Sequence, residues 1–266
     1  MDKVLLIKTV QISPFKILIN ALKDIVEEVN MVFTPNGIKI VNMDVSKTVV
    51  VYLELIAKNF EFFKCDKEKI IIGINILHFS KMLNGIDNDE TLSMYINDDE
   101  YNGGIVEFLT LQFDCKHKNQ ISKKKLKLIE LGGIENDIPN VSYSSVINMP
   151  STDLQKIIKD LNSMGAETVE IKSLEDEIRF KSLCSHGSSE IVRNESDNLV
   201  IVEKHTKIIQ GIFSLKNLQN FVKCTNLCGS VELYLDNDTP LLVKYNVASL
   251  GELKLGLSQM SNDNPI

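Results

Sequence analysis

The sequence predicts an α+β chain in which one unit occurs twice: a helix, a set of strands, a shorter helix and more strands. Three observations predict it. Apolar residues recur at helical spacing in four segments. Short runs with a period of two lie between them. The same order then returns after a connector, Leu131-Gly132-Gly133-Ile134-Glu135-Asn136-Asp137-Ile138-Pro139, whose glycines, proline and polar residues break both periods. A length of 266 residues suits one large domain or two of about 130 residues each, and the repeat points to two. They are expected over residues 1–125 and 143–266, with 126–142 as the connector.

The first helix is predicted over Pro14–Val29, where Phe15, Leu18, Leu22, Ile25, Val26 and Val29 fall on one side and Ser13 gives a start signal. A hairpin follows, Met31–Thr34 and Ile38–Asn42, turning at Pro35-Asn36-Gly37. Thr48–Ile56 reads as a strand. Asn75–Asn84 reads as a second helix, with Ile76, Phe79, Met82 and Leu83 inward. Strands are predicted at Leu92–Ile96 and Ile105–Phe113. The second half opens with a helix over Ser151–Met164, whose apolar residues are Leu154, Ile157, Ile158, Leu161 and Met164. Strands at Thr168–Lys172 and Glu177–Leu183 flank a turn at Leu174-Glu175-Asp176. A fourth helix covers Ser214–Cys224, with Leu215, Leu218, Phe221 and Val222 inward. Ser230–Asp236, Pro240–Val247 and Glu252–Ser258 close the chain. In the first of these, Val231, Leu233 and Leu235 alternate with Glu232, Tyr234 and Asp236, so one face is buried and one wet.

Composition narrows the function. The chain is 44% hydrophobic and 24% charged, as a packed globular protein requires, and no apolar run approaches the roughly 20 residues of a membrane span. The start is too charged for a secretory signal, so an intracellular protein is expected. Its five scattered cysteines, Cys65, Cys115, Cys184, Cys224 and Cys228, then read as reduced thiols. No phosphate-cradling or dinucleotide-binding glycine motif occurs. The four histidines stand apart, Cys224 and Cys228 lack a histidine partner, and the acidic clusters at 87–90 and 97–100 read as solvated turns. No enzyme, no metal and no cofactor are expected.

The informative residues lie opposite the apolar stripes. The first helix carries Lys16 and Lys23 there, the second His78 and Lys81, the third Lys156 and Lys159, and the fourth Lys216 and Lys223. The formal net charge is −7, so everything outside these seven lysines carries −14. Any amphipathic helix has a polar face, and lysine is common on it. Four basic faces in a duplicated chain point further, to a surface that meets phosphates without reading bases. Glu27, four residues after Lys23, is expected to offset it in part.

The chain also resembles the proliferating cell nuclear antigen family of DNA sliding clamps. The residues that carry the resemblance are Ala21-Leu22-Lys23-Asp24, Met43-Asp44, Phe63-Lys64-Cys65-Asp66, Lys127-Leu128, Ile138-Pro139 with Tyr143, Met149-Pro150-Ser151 and Lys159-Asp160-Leu161. Near the end come Phe213, Leu215-Lys216, Pro240-Leu241, Val243, Tyr245 and Gly251. The resemblance implies two clamp domains per chain and a closed homotrimer, with helices lining a hole and antiparallel sheets outside. It implies that Lys16, Lys23, Lys81, Lys156, Lys159, Lys216 and Lys223 face double-stranded DNA without sequence preference. It implies docking of DNA polymerase and other motif-bearing proteins on Met43, Val50, Ile138, Pro139, Tyr143, Pro240 and Leu257, through an apolar residue and two aromatics on one turn. A clamp loader and a nuclear or viral replication compartment follow from the same likeness.

There are departures. Ile17 and Asn84 stand where relatives often carry positive charge, Lys47-Thr48 replaces a His-Val pair, and Gly256 replaces an aromatic. Leu257-Ser258-Gln259-Met260 replaces a terminal Leu-Ala-Pro-Lys, and Glu175 stands in place of a modified lysine. Joining edges are implied near Ser122–Ile129, with Lys123, Lys124, Lys125 and Lys127, and near Ser188–Asn194, beside Glu190, Glu195 and Asp197. Opposite charge would select a head-to-tail contact. The alternatives are one subunit of a hetero-oligomeric checkpoint-type clamp, a viral processivity factor that forms no ring, and an enzyme with an unrecognised site.

Overall fold

The structure, a computed structural model, describes residues 2–101, 103–132, 141–202 and 207–260. These fall into two compact units. The first gathers described residues from 2–42, 52–132 and 247–253; the second gathers those from 43–51, 141–246 and 254–260.

In the first unit the elements run β1 (Lys3–Thr9), α1 (Ile12–Leu22), β2 (Glu28–Thr34), β3 (Gly37–Met43), β4 (Val49–Ile56), β5 (Phe62–Cys65), β6 (Ile70–Asn75), α2 (Ile76–Leu83), β7 (Thr91–Asn97), β8 (Phe108–Cys115) and β9 (Gln120–Lys127). One sheet has the order β5-β1-β7-β8-β9, and a second run of paired strands has the order β6-β2-β3-β4. The β2–β3 hairpin turns where the Asn-Gly signal placed it, with Thr34 opposite Gly37. Alternation buries Val49, Val51, Leu53 and Leu55 of β4. The two helices meet through Phe15 and Phe79, edge to face at 5.8 Å between ring centroids, and through Ser80 Oγ donating to Asn20 Oδ1 at 2.7 Å.

In the second unit come β10 (Ser145–Pro150), α3 (Ser151–Ser163), β11 (Thr168–Leu174), β12 (Glu177–Cys184), β13 (Gly187–Asn194), β14 (Val200–Ile201), β15 (Ile209–Ser214), α4 (Leu215–Phe221), β16 (Ser230–Leu235) and β17 (Leu241–Val247). β18 (Gly251–Leu257) ends the series. One sheet has the order β13-β12-β11-β15; β14-β10-β16-β17 form the other set. A buried Ser145–Ser173 hydroxyl bond of 2.9 Å links β10 to β11. At the start of α3, Ser151 Oγ donates to the carbonyls of Thr225 and Cys228, at 3.1 and 2.7 Å, locking α3 to the tight-turned segment Val222–Leu227.

All four predicted helices exist, with two revised ends. The first stops at Leu22, not Val29. The amides of Ile25 and Val26 both return to Leu22 O at 2.9 Å, closing a tight turn, and Val29 enters β2 opposite Ile74. Apolar spacing continued through that turn because Val26 and Val29 are buried by strand packing instead of by a helix face. The fourth helix leaves α geometry after Phe221, where Thr225 Oγ1 bonds Val222 O at 2.6 Å and tightens the winding. The strand expected from Ile105 starts at Phe108, with Ile105 68% exposed. Strands β1, β5, β6, β10, β14 and β15 had no clear period. Ile70-Ile71-Ile72 is a continuous apolar run, and β1 buries Val4 and Leu5 in succession.

Candidate functional site

The sequence singles out two sets of residues: those on the polar faces of the helices, and the docking residues implied by the resemblance, Met43, Val50, Tyr143, Pro240 and Leu257. In the first unit, burial of Phe15, Leu18, Ile19 and Leu22 leaves Lys16, Asn20 and Lys23 on the opposite side. Lys16 is half-buried and reaches over the end of α2. Its Nζ donates to Ile86 O at 2.6 Å and Asn88 Oδ1 at 3.3 Å. Lys23 caps the C-terminus of α1, where the helix dipole favours a cation, and donates to Asn20 Oδ1 at 3.4 Å. Lys81 and His78 on α2 are exposed. Glu27 does not share this face, because α1 has ended and the chain has turned; Glu27 O instead accepts from Ile76 N at 2.9 Å.

In the second unit Lys156 and Lys159 on α3, Lys216 on α4 and Lys223 just beyond it are all exposed. Their inward neighbours Leu154, Ile157, Ile158, Leu161, Leu215, Leu218 and Phe221 are buried. The helices' own packing therefore fixes which way these lysines point. Long flexible stems with a compact charge make adaptable contacts to phosphate oxygens and carry no base specificity.

The described residues of the predicted docking set all fall in the second unit. Met43 is 41% exposed, Pro240 is exposed, Val50 and Tyr143 are half-buried, and Leu257 is 1% exposed. Leu257 thus lies beneath the surface and supports it. Ile138 and Pro139 fall outside the described residues. Tyr143 packs edge to face on Tyr234, with centroids 5.6 Å apart, and burial together with the Asp236 carboxylate pushes its hydroxyl upward in pKa.

Sequence reasoning missed two features here. One is Val45, 98% exposed at the tip of a rigid turn. The other is that turn's organiser, Asp44. Its carboxylate accepts from the amides of Thr48 and Val49 at 2.8 and 2.7 Å and from the hydroxyl of Ser46, while Lys47 takes positive φ. Aspartate followed by serine and threonine was the available signal. Burial alone would raise the Asp44 carboxyl, but the bonds from Ser46, Val49 and Thr48 outweigh it and hold the carboxyl below its usual value of 3.8. A lowered folded-state pKa stabilises the turn fully above the ordinary value and ceases to do so as pH falls through the lower one. Protection of the Thr48 and Val49 amides, relative to their intrinsic exchange at each pH, should therefore be high at neutral pH and fall below about pH 4. Flat protection down to pH 2 would contradict the role given to Asp44.

The outermost strands of two sheets complete the picture. β9 is the last strand beyond β8, and β13 the last beyond β12. Lys124 of β9 donates to Met82 O at 2.7 Å and Lys125 pairs with Glu100 at 2.7 Å, whereas Lys123 and Lys127 are exposed. On β13, Arg193 pairs with Asp153 at 2.9 Å, and Glu190 lies 3.7 Å from Arg179.

Family models described as "Proliferating cell nuclear antigen, N-terminal domain" and "Proliferating cell nuclear antigen, C-terminal domain" match residues 4–136 and 137–260. The "Probable DNA polymerase sliding clamp 1" of Paramecium bursaria Chlorella virus 1 is 32% identical over 253 residues, 93% of this chain and 94% of that one. The "Proliferating cell nuclear antigen" of Dictyostelium discoideum is 31% identical over 252 residues, 92% of this chain and 95% of that one. The "Probable DNA polymerase sliding clamp" of Acanthamoeba polyphaga mimivirus is 32% identical over 228 residues, 86% of this chain but 48% of the longer relative. The duplicated α+β units and these matches define a member of the sliding-clamp class. The chain belongs to the proliferating cell nuclear antigen family.

Proposed function

We propose that this chain is a DNA sliding clamp, a processivity factor that closes with two further copies into a ring around duplex DNA and tethers DNA polymerase and other motif-bearing proteins to it. The observation that carries this reading is the direction of the helix lysines. In a chain of net charge −7, the four helices turn their polar sides outward with Lys16, Lys23, Lys81, Lys156, Lys159, Lys216 and Lys223 on or at the end of them. Such contacts are sequence-blind and salt-dependent, as a mobile tether requires. The clamp carries out no chemistry itself. A loader opens and closes it, and it works in the nucleus or in a viral replication compartment. Its first domain extends through β9 to Lys127, two residues past the end expected from sequence, and its second is residues 143–266, with the connector between them.

The ring closes head to tail, β9 of one copy against β13 of the next, since unpaired strand edges are templates for another chain. Lys124 and Lys125 already have partners within their own unit, so Lys123 and Lys127 are left to choose the partner edge by charge. Native mass by light scattering should give a trimer, and that trimer should persist on nicked circular DNA and slide off linear DNA. Lys123→Glu with Lys127→Glu should raise the concentration of half-dissociation by about tenfold, equivalent to ~1.4 kcal/mol. A purified chain that stays monomeric and is retained equally on linear and circular DNA would favour a non-ring factor.

A further inference from the structure

Asp236 sits between two segments that carry residues of the predicted docking set. Its Oδ2 accepts from both Ser144 N and Ser144 Oγ, at 3.1 and 2.7 Å, and its Oδ1 accepts from Asn237 N at 2.7 Å. Its main-chain carbonyl accepts from Gln259 Nε2 at 3.2 Å; the same amide group donates to Thr239 O at 2.9 Å. Gln259 therefore closes over the 236–239 turn. It also lies against Gly211, where an added Cβ would come within 2.9 Å of Gln259 Cδ, and the next residue is fixed by Met260 N donating to Ile212 O at 2.9 Å. The turn is itself anchored, since Asn237 Oδ1 accepts from Gln210 N at 2.9 Å and Asn237 Nδ2 donates to Ile208 O at 3.1 Å.

The segments held this way are those that carry the docking residues. Ser144 follows Tyr143, Thr239 precedes Pro240, and Gln259 stands between Leu257 and Met260, which is 45% exposed. Resting on the reading of these residues as the partner-docking surface, we infer that Asp236 and Gln259 form a clasp that sets the spacing of its walls. They are positioning residues for a partner segment with one apolar and two aromatic side chains on a single turn. The occupant touches Tyr143, Pro240 and Met260; the clasp holds those three at fixed separation and lowers the ordering cost of binding.

Asparagine cannot replace Asp236 in this role. A carboxylate offers two acceptor oxygens to donors on both sides, whereas an amide offers one acceptor and turns an NH₂ toward the other donor. The test titrates the intact clamp with a synthetic peptide bearing that three-residue motif. Asp236→Asn should weaken the peptide about tenfold, and Gln259→Ala, a change at a half-exposed side chain, several-fold. The double variant should lose less than the product of the two, because both act on one clasp. Peptide binding should also slow amide exchange at Ser144 and Met260 together in the wild type and at Met260 alone in Asp236→Asn, an uncoupling that a merely structural role for Asp236 would not give. Unchanged affinity in both single variants, with the wild type binding, would overturn the clasp and leave the docking surface standing. A wild type that ignores the peptide would overturn the docking surface itself and the clasp with it.

Discussion

Replacing Lys156, Lys159, Lys216 and Lys223 with alanine should weaken retention on duplex DNA by two to three orders of magnitude at physiological salt. Each phosphate neutralised contributes about 0.9 to the slope of log affinity against log salt, which at 0.15 M is roughly fivefold in affinity. Four such contacts, the set of one subunit against the duplex, multiply to that range and should flatten the slope by about 3.6 for each subunit engaged at a time. The side chains are exposed, so thermal stability should be unaffected and the trimer should persist. The measurement is equilibrium binding of the ring to short linear duplex, where no topological link holds it, across a salt series. An unchanged slope would mean that these faces do not meet the phosphates. Lys16 should contribute less than Lys156, Lys159 or Lys216, since its ammonium group is already engaged with Ile86 O at 2.6 Å.

Gly251→Ala should destabilise the protein by about 3 kcal/mol, the upper end of an overpacking change, and lower Tm by roughly 6–12 °C. A Cβ at this position would fall 2.0 Å from Glu54 O and 2.8 Å from Leu55 Cα. Both obstacles are backbone atoms, so no side chain can swing aside. Gly256→Ala is the matched control. Its Cβ would meet only Val50, at 3.5 Å, which is ordinary contact, and it should change stability by less than about 0.5 kcal/mol. Differential scanning calorimetry of the two variants decides the matter. Equal melting of Gly251→Ala and wild type would show that β18 does not pass so close to β4.

Much of this was legible in residue order. The helix stripes, the Asn-Gly hairpin and the alternation in Ser230–Leu235 are local signals, because side-chain direction follows from backbone period alone. The basic faces were legible for the same reason. Once Leu154, Ile158 and Leu161 are inward, Lys156 and Lys159 have only the outside left. The end of α1 was not legible. Ile25, Val26 and Val29 keep a helical spacing that a turn and a strand also satisfy, and only pairing of Val29 with Ile74 settles which.

The chain by itself determined a duplicated α+β architecture, its four amphipathic helices and the segregation of lysine onto their wet sides, because each depends on a repeat a few residues long. The tertiary structure alone decided what depends on residues far apart. It drew Lys16 to the carbonyl of Ile86, buried Leu257 beneath the surface, and brought Ser144, Asp236 and Gln259 within hydrogen-bonding distance. Hydrogen bonds and close packing act over about 3–4 Å, and no sequence period reports which distant residues the fold will bring that near.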